Sequence, residues 1–219
     1  MLGAPASGKG TQAARLASHF ELAKLSTGAL IRAEQRQGTA LGQLADRHLA
    51  RGGFLPDELM LDVMVRWLGA EGAQGFVLDG FPRTLPQAEI FDGILAESEH
   101  QLDAVVLLET DAETLRERCA GRLHCSLCGG TFQLGSDGVG AEGQCPQGIC
   151  QGTLEPREDD APATYAERLA NYHRLTEPLI EHYRRRSTLM RIDATGSPEA
   201  VFSEILDQLG VTAATTETN

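Results

Sequence analysis

The sequence predicts a three-layer α/β fold in which helices cover both faces of a parallel sheet. Short apolar segments of strand length alternate with amphipathic helical patterns along most of the 219 residues. A glycine-rich turn near the start of the chain leads directly into one of these helices. Strands that alternate with helices are typical of parallel sheets, because a crossover helix must connect parallel neighbours.

The composition indicates a globular protein and excludes several classes. A chain of 219 residues can bury the core of one sizeable domain. The formal net charge of -12 disfavours nucleic acid as a partner, because the two polyanions repel each other. The sequence contains neither an apolar run of ~18 residues nor a signal-peptide pattern. We therefore expect a cytoplasmic protein without a membrane partner. We also expect a monomer.

The first part of the chain predicts one strand and four helices. A helix is expected over Thr11–Phe20, and a short strand then leads to Ser26. Helical patterns follow at Gly28–Gln37 and Leu41–Arg51, and Pro56 begins another helix. The inward face of that helix is expected to carry Leu59, Val63, Trp67 and Leu68.

The remaining chain predicts further strands and the helices that connect them. The strands are Gly75–Asp79, Ala104–Leu108 and Leu189–Ile192. The helices are Gln87–Ala96, Ala112–Ala120 and Thr164–Arg186. Pro178 should kink the last of these, because proline lacks an N–H group and clashes with the preceding turn. A final helix is capped by Ser197, and the tail 212–219 should be frayed.

The segment Gly3–Thr11 has the pattern of a loop that binds phosphate. Glycines allow several backbone N–H groups to converge on an anion at the start of a helix. Lys9 can reach the outer phosphates, and the Thr11 hydroxyl can bind Mg²⁺ or phosphate. Gly10 occupies the position at which the general motif has Ser or Thr. The alternative interpretation is an ordinary glycine-rich turn before a helix.

Three motifs together resemble the adenylate kinases, a family of nucleoside monophosphate kinases. They are Gly-Lys-Gly-Thr at 8–11, Ser-Thr-Gly at 26–28 and Asp-Gly-Phe-Pro-Arg-Thr at 79–84. The resemblance implies a phosphate-loop kinase fold that transfers phosphoryl groups reversibly between ATP plus AMP and two ADP, with Mg²⁺. It implies a core of residues 1–25, 56–120 and 161–219. An AMP-binding insert would comprise residues 26–55, and a lid residues 121–160.

The resemblance also implies roles for individual residues. The ATP-binding residues would be Ala6, Ser7, Gly8, Lys9, Gly10, Thr11, Arg118, Arg122, Thr131, Phe132 and Gly196. The AMP-binding residues would be Thr27, Arg32, Gly53, Phe54, Leu55, Gly80, Phe81, Pro82, Arg83, Gln87, Arg157 and Arg168. The catalytic cations would be Lys9, Arg83, Arg122, Arg157 and Arg168. Asp79 would hold Mg²⁺ through water.

Each of these assignments has a simpler alternative. A planar guanidinium suits phosphate oxygens, but a single arginine is more often a solvated surface charge. Asp79 could instead cap a helix or a turn. Ala6 stands where the family more commonly has glycine, and alanine would be strained by ~1 kcal/mol if the position requires a positive φ.

Four cysteines in residues 121–160 predict a structural zinc site. Their spacing is Cys125-x2-Cys128-x16-Cys145-x4-Cys150, and four thiolates suit tetrahedral Zn²⁺. The segment is too polar to form an apolar core, so the metal should stabilise it instead. The alternatives are two disulfides or four free thiols. Cys119 lies outside this cluster and is expected to be buried in the core.

Two other functions deserve comparison with the adenylate kinase hypothesis. A UMP/CMP kinase is disfavoured by Thr84, where such enzymes usually have Asn, and by the long lid. A zinc-ribbon module that binds nucleic acid is disfavoured by the charge of residues 121–160. These residues include six acidic side chains and only two basic ones, Arg122 and Arg157.

The first strand raises a separate expectation about the start of the chain. Because Gly3 begins the loop, that strand would have to fit into Met1 and Leu2. A strand inside a sheet needs roughly five residues to pair with its neighbours. We therefore expect about four to six further residues upstream, mostly Val, Ile or Leu.

Overall fold

The computed structural model describes residues 1–49, 55–98, 100–135, 139 and 143–211. The strands are β1 (Leu2–Gly3), β2 (Ala23–Ser26), β3 (Phe76–Asp79), β4 (Val105–Glu109), β5 (Arg122–Cys125), β6 (Thr131–Gln133), β7 (Leu154–Pro156) and β8 (Leu189–Asp193). The helices are α1 (Lys9–His19), α2 (Thr27–Gln37), α3 (Ala40–Leu49), α4 (Asp57–Ala70), α5 (Leu85–Glu97), α6 (Ala112–Ala120), α7 (Pro162–Asn171), α8 (Pro178–Arg185) and α9 (Pro198–Gln208).

Five strands of the core run parallel, which confirms the predicted α/β class. β4 lies between β1 and β8, and β2 pairs with β3 in the register Ala23↔Phe76 to Ser26↔Asp79. The Met1 amino group donates a hydrogen bond of 2.8 Å to the Leu78 carbonyl oxygen, which connects β1 to β3. The carboxyl ends of these strands therefore meet at one edge, where α/β proteins bind ligands.

β4 shows why the fold has three layers. Its side chains alternate between the two faces of the sheet, as the period of a strand requires. Val106 and Leu108 pack with residues of α1 and α9, whereas Val105 and Leu107 pack with α5 and α8. Full burial of one such side chain stabilises the fold by about 1.5–3 kcal/mol. A continuous apolar strand such as β4 is typical of a sheet that is covered on both sides.

The predicted inward face of α4 is correct for Leu68 but is rotated by about one residue for the other three. The buried residues are Met60, Leu61, Met64 and Leu68. Leu59, Val63 and Trp67 are only partly buried. The indole nitrogen of Trp67 donates a hydrogen bond of 3.2 Å to a Glu71 carboxylate oxygen. Trp67 lies at the rim of the core, where its N–H can reach a polar partner while its ring packs inward.

The long helix predicted over Thr164–Arg186 is interrupted, as Pro178 requires. α7 ends at Asn171, a π-helical turn spans Tyr172–Thr176, and α8 begins at Pro178. Proline has no N–H to donate to the preceding turn, and π-helical turns often accompany such interruptions. The Thr176 hydroxyl donates a hydrogen bond of 2.8 Å to the Arg83 carbonyl oxygen, so the turn supports the loop after β3.

The segment between α6 and α7 forms a separate antiparallel sheet. β5 pairs with β6 on one side and with β7 on the other. The helix predicted over Leu41–Arg51 is α3, but Arg51 lies outside the described residues. The predicted frayed tail, 212–219, also lies outside them. Among the described residues, no helix combines the length and apolar character needed to cross a bilayer.

Gly42 allows a close approach between α2 and α3, and this contact gives a test of the packing. A Cβ atom at Gly42 would lie 2.2 Å from the Glu34 carbonyl oxygen, whereas a Cβ at Gly69 of α4 would meet nothing within 4 Å. Gly42→Ala should therefore lower the free energy of unfolding by ~1–3 kcal/mol through overpacking. Gly69→Ala is the matched control and should raise it by up to ~1 kcal/mol, because alanine favours helix. Urea unfolding of both variants measures these free energies. Equal free energies of unfolding for the two variants would contradict the close contact between α2 and α3 at Gly42.

Candidate active site

The loop between β1 and α1 has the backbone of an anion cradle. Gly8 caps α1 with a φ of 94°, and Gly3 has a φ of 143°. A Cβ atom at Gly3 would lie 2.8 Å from the Leu108 carbonyl oxygen, so only glycine fits there. Ala6 adopts a φ of 71°, so alanine occupies the left-handed region. This conformation costs alanine about 1 kcal/mol relative to glycine.

Lys9 lies at the centre of this loop. Its ammonium group donates hydrogen bonds of 2.8 Å to the Gly3 carbonyl oxygen and 2.7 Å to that of Ala4. Burial lowers the pKa of Lys9 to about 7, although the nearby Asp79 carboxylate opposes the shift. Neighbouring arginines lower this pKa further by repulsion. An anion bound in the loop would restore the proton, because it stabilises the charged form.

Asp79 ends β3 beside the loop. The Ser26 hydroxyl donates a hydrogen bond of 2.9 Å to one Asp79 carboxylate oxygen. A Cβ atom at residue 10 would lie 3.2 Å from the same oxygen, which is closer than ordinary packing allows. A side chain at position 10, where the general motif has Ser or Thr, would therefore require Asp79 to shift slightly.

Two consecutive aspartates, Asp159 and Asp160, hold three of the predicted arginines together. Arg157 donates two hydrogen bonds to the Asp159 carboxylate, at 2.9 and 2.6 Å. Arg122 forms a similar fork with Asp160, and Arg168 donates to a carboxylate oxygen of Asp160 at 2.9 Å. Although burial opposes the shift, Arg157, Arg168 and Arg32 hold the pKa of Asp159 well below its usual range. The resemblance assigned no role to these aspartates, although the pair begins two residues after Arg157.

Two further arginines complete a positively charged region. Arg83 donates a hydrogen bond of 2.7 Å to the Gly80 carbonyl oxygen. Burial, together with repulsion among the arginines, lowers the pKa of Arg83 and of Arg32 to about 10. Both remain charged at neutral pH. The structure thus brings these five arginines and Lys9 together around the carboxylates of Asp79, Asp159 and Asp160. Such an excess of positive charge favours a polyanion.

A cavity between α2, α4 and the loop after β3 adjoins this region. Its lining residues are Thr27, Ile31, Leu55, Met60, Gly80, Phe81, Arg83 and Gln87. Thr27 and Gln87 are both buried, and the Thr27 hydroxyl donates a hydrogen bond of 2.9 Å to the Gly80 carbonyl oxygen. Pro82 follows Phe81 in a cis peptide bond. Apolar walls with a few polar groups are typical of small-molecule sites.

The other predicted residues lie beside Gly8 of the loop or in the small sheet. Arg118 donates a hydrogen bond of 3.1 Å to the Gly196 carbonyl oxygen, so these two predicted residues meet. Thr131 and Phe132 belong to β6, and among the described residues no hydrogen bond joins them to the phosphate loop. The predicted residues Gly53 and Phe54 lie outside the described part of the chain.

The four cysteines of the small sheet converge on one point. All four sulfur atoms lie within 4.8 Å of one another. Cys125 and Cys150 are 3.6 Å apart, and Cys128 and Cys145 are 3.7 Å apart. A disulfide requires ~2.05 Å, whereas four thiolates at ~2.3 Å around a tetrahedral Zn²⁺ are separated by about 3.8 Å. The cluster therefore fits a metal ion better than two disulfides.

Backbone N–H groups favour thiolates at Cys125 and Cys128, but burial and the neighbouring cysteines raise the pKa of Cys128 overall, and burial raises the pKa of Cys145 to about 12. The Gly130 N–H group lies 3.4 Å from the Cys128 sulfur atom. Burial tends to raise the pKa of Cys125, but backbone N–H groups of Cys128 and Leu127 lower it to about 6. A Cβ atom at residue 152 would lie 2.3 Å from the Cys125 sulfur atom, so Gly152 leaves room for the cluster. Cys119 is buried away from it, as predicted.

Comparisons with known proteins agree with this geometry. The family model described as adenylate kinase matches residues 1–188. The chain is 40% identical to the adenylate kinase of Lachnospira eligens over 211 residues, which are 96% of this chain and 98% of the relative. It is 41% identical to that of Lachnoclostridium phytofermentans over 214 residues, with 97% and 98% covered. It is 40% identical to that of Salinispora tropica over 210 residues, with 95% and 96% covered.

The lowered pKa of Lys9 predicts that anion binding takes up a proton. Between the Lys9 pKa of about 7 and the ordinary value of 10.5, the free protein is mainly deprotonated at this site, whereas a bound polyphosphate favours the ammonium form. Affinity for ADP should therefore fall as the pH rises from 7 to 9. Isothermal titration in buffers of different ionisation enthalpy measures the uptake. Lys9→Met should bind ADP more weakly and should take up no proton on binding. A Lys9→Met variant whose ADP affinity keeps the pH dependence of the wild type would contradict the assignment of the proton to Lys9.

Proposed function

Because the chain belongs to the adenylate kinase family, we propose that it catalyses the reversible reaction of ATP and AMP to form two ADP. Its relatives are phosphotransferases of that name. One observation from the structure supports the proposal most directly. Arg83 lines the cavity that contains Thr27 and Gln87, and its charge acts on Lys9 at the phosphate loop, so the two sites are neighbours. A donor and an acceptor nucleotide bound at these two sites would bring their phosphates together.

On the donor side, we propose that the loop from Ala6 to Thr11 binds the ATP phosphates. The N–H groups at the start of α1 and the Lys9 ammonium group supply the donors. Arg118 and the Gly196 carbonyl oxygen, 3.1 Å from one of its nitrogens, would contact the adenine. Thr131 and Phe132 would approach ATP from the lid, and Arg122 would bind its phosphates.

On the acceptor side, we propose that the base of AMP occupies the cavity beside Gln87. Thr27 and Gln87 supply its polar groups, and Leu55, Gly80 and Phe81 line the cavity around them. The resemblance adds Gly53, Phe54 and Pro82 as residues that would contact AMP. Arg32, Arg83 and Arg168 would bind the AMP phosphate. A pocket that satisfies the hydrogen bonds of one base excludes another, because the wrong base leaves buried polar groups without partners.

Catalysis would depend on the alignment of the two nucleotides and on stabilisation of the negative charge of the transferring phosphoryl group. Phosphoryl transfer spreads negative charge over the oxygens of the transferring group, and forked guanidinium donors stabilise it. Lys9, Arg83, Arg122, Arg157 and Arg168 are the proposed donors. In the free protein, Asp159 and Asp160 accept hydrogen bonds from three of these arginines. Substrate phosphates would share these arginines, so the aspartates hold them in position beforehand.

Two metals belong to the proposal. Asp79 fits Mg²⁺, since its carboxylate is the type of ligand that Mg²⁺ prefers and it lies beside the phosphate loop. When bound with ATP, Mg²⁺ would neutralise phosphate charge. Cys125, Cys128, Cys145 and Cys150 would hold one Zn²⁺. All four zinc ligands are protein groups, so the role of that metal would be structural.

We further propose that residues 26–55 and 121–160 are mobile inserts on a core of residues 1–25, 56–120 and 161–219. Closure of both would exclude water, which would otherwise accept the phosphoryl group. The monomeric state and the cytoplasmic location remain predictions from the sequence.

The acceptor preference tests the proposed function. Formation of ADP from ATP should be much faster with AMP than with CMP or UMP, because Thr27 and Gln87 supply hydrogen bonds suited to adenine. A coupled assay with each monophosphate at equal concentration measures this preference. Comparable rates with CMP would favour a pyrimidine nucleotide kinase. A chain that transfers phosphate to none of them would refute the proposal.

The metal content tests the lid. Elemental analysis should find one Zn²⁺ per chain after purification without chelator, and Cys128→Ser should lower both zinc content and melting temperature. Cys119→Ala is the control, because Cys119 lies outside the cluster and its loss should leave the zinc content at one. Disulfides between these cysteines, or protein without metal, would contradict the assignment.

A further inference from the structure

We propose that Asp57 determines the purine specificity of the acceptor pocket by fixing the orientation of the Gln87 side-chain amide. The inference rests on the proposed function, because it assigns the AMP base to the cavity that Gln87 lines. Asp57 is the first residue of α4, and Gln87 lies in the first turn of α5. Asp57 itself does not line that cavity. It is a positioning residue.

Gln87 is fixed by protein groups at both ends of its amide. Its nitrogen donates a hydrogen bond of 2.7 Å to one carboxylate oxygen of Asp57. Its oxygen accepts a hydrogen bond of 2.8 Å from the Arg83 backbone N–H. A backbone N–H can only donate, and an ionised carboxylate can only accept. The two partners therefore permit a single orientation of the amide.

Asp57 is itself held in place. Its second carboxylate oxygen accepts a hydrogen bond of 3.0 Å from the Thr84 hydroxyl. The Thr84 oxygen also accepts the Gln87 backbone N–H at 3.3 Å and so caps α5. The carboxylate of α4 is thus connected to the same turn that presents Gln87. The exposed fraction of Gln87 is 1%, so its amide cannot turn toward solvent to find other partners.

The orientation of the amide decides which purine it can recognise. A primary amide has two N–H donors and two oxygen lone pairs, and Asp57 and Arg83 occupy one of each. One donor and one acceptor remain. A 6-aminopurine presents the complementary pair, an acceptor at N1 and a donor at N6. A 6-oxopurine presents the reverse, a donor at N1 and an acceptor at O6, and would need the amide to turn over.

Removal of the Asp57 carboxylate should therefore weaken the preference of the protein for AMP over IMP. In Asp57→Ala the Gln87 amide keeps only the Arg83 partner, and its nitrogen loses a charged acceptor. A hydrogen bond to a charged group typically changes an equilibrium by roughly 10–100-fold. We expect kcat/KM for AMP to fall by about tenfold or more, mainly through KM. We expect the ratio of kcat/KM for AMP to that for IMP, the 6-oxopurine analogue, to narrow by about tenfold, and KM for ATP to stay within about twofold.

Three further variants separate orientation from general destabilisation. Asp57→Asn keeps an oxygen that can accept from Gln87, so it should retain most of the AMP-to-IMP ratio. Asp57→Ser keeps a residue that is favourable at a helix start but too short to reach the amide, so it should behave like Asp57→Ala. Glu58→Ala removes the neighbouring carboxylate, which is exposed, and should leave the ratio unchanged. Melting temperatures identify any variant that does not fold at the assay temperature.

The experiment has clear outcomes. A narrowed ratio in Asp57→Ala or Asp57→Ser, with recovery in Asp57→Asn, supports the inference. An unchanged ratio in a folded Ala or Ser variant overturns it, and so does an Asn variant that is as unselective as the other two. The wild-type protein distinguishes this failure from that of the proposed function. If the wild type transfers phosphate to AMP but the ratio does not depend on residue 57, only the role of Asp57 is wrong.

Discussion

The concentration of positive charge in one largely buried region is the constraint on which the rest of this structure depends. Like charges repel strongly where water is scarce, and desolvation adds to the cost. Both effects are visible in Lys9, whose pKa falls to about 7, and in Arg83, whose pKa falls to about 10. Asp159 and Asp160 offset this repulsion through forked hydrogen bonds. In the free protein, the two aspartates thus hold Arg122 and Arg157 in position. An incoming polyphosphate can accept further hydrogen bonds from the same arginines.

The fold brings these charges together from distant parts of the sequence. Lys9 begins the helix after β1, Arg83 follows β3, and Arg168 lies on α7 beyond the small sheet. Parallel strands make this convergence possible, because all their carboxyl ends meet at one edge of the sheet. The apolar strand β4, covered on both faces, keeps that edge rigid. Arginines held on such a frame lose little further freedom when they bind.

The cysteine cluster and the cavity beside Gln87 follow the same principle on a smaller scale. The small sheet of residues 121–160 has few buried apolar side chains, and four converging sulfur atoms replace a core. At the cavity between α2 and α4, Asp57 and the Arg83 N–H group fix the Gln87 amide by hydrogen bonds within the protein. In both places, directional polar contacts fix the arrangement of the side chains, because apolar packing alone does not select one orientation.

The sequence by itself determined the α/β class, the phosphate loop, the cysteine cluster and the order of the motifs, because each depends on residue types at short and fixed spacings. It also indicated that Ala6 would be strained and that Pro178 would interrupt a helix, since backbone geometry imposes both. Only the tertiary structure decided which face of α4 is buried, where a single-residue rotation separates Leu59 from Met60. It alone revealed the pairing of Asp57 with Gln87, thirty residues apart, and of Arg122 with Asp160. Hydrogen bonds between distant residues depend on how the elements pack, and no local pattern encodes that arrangement.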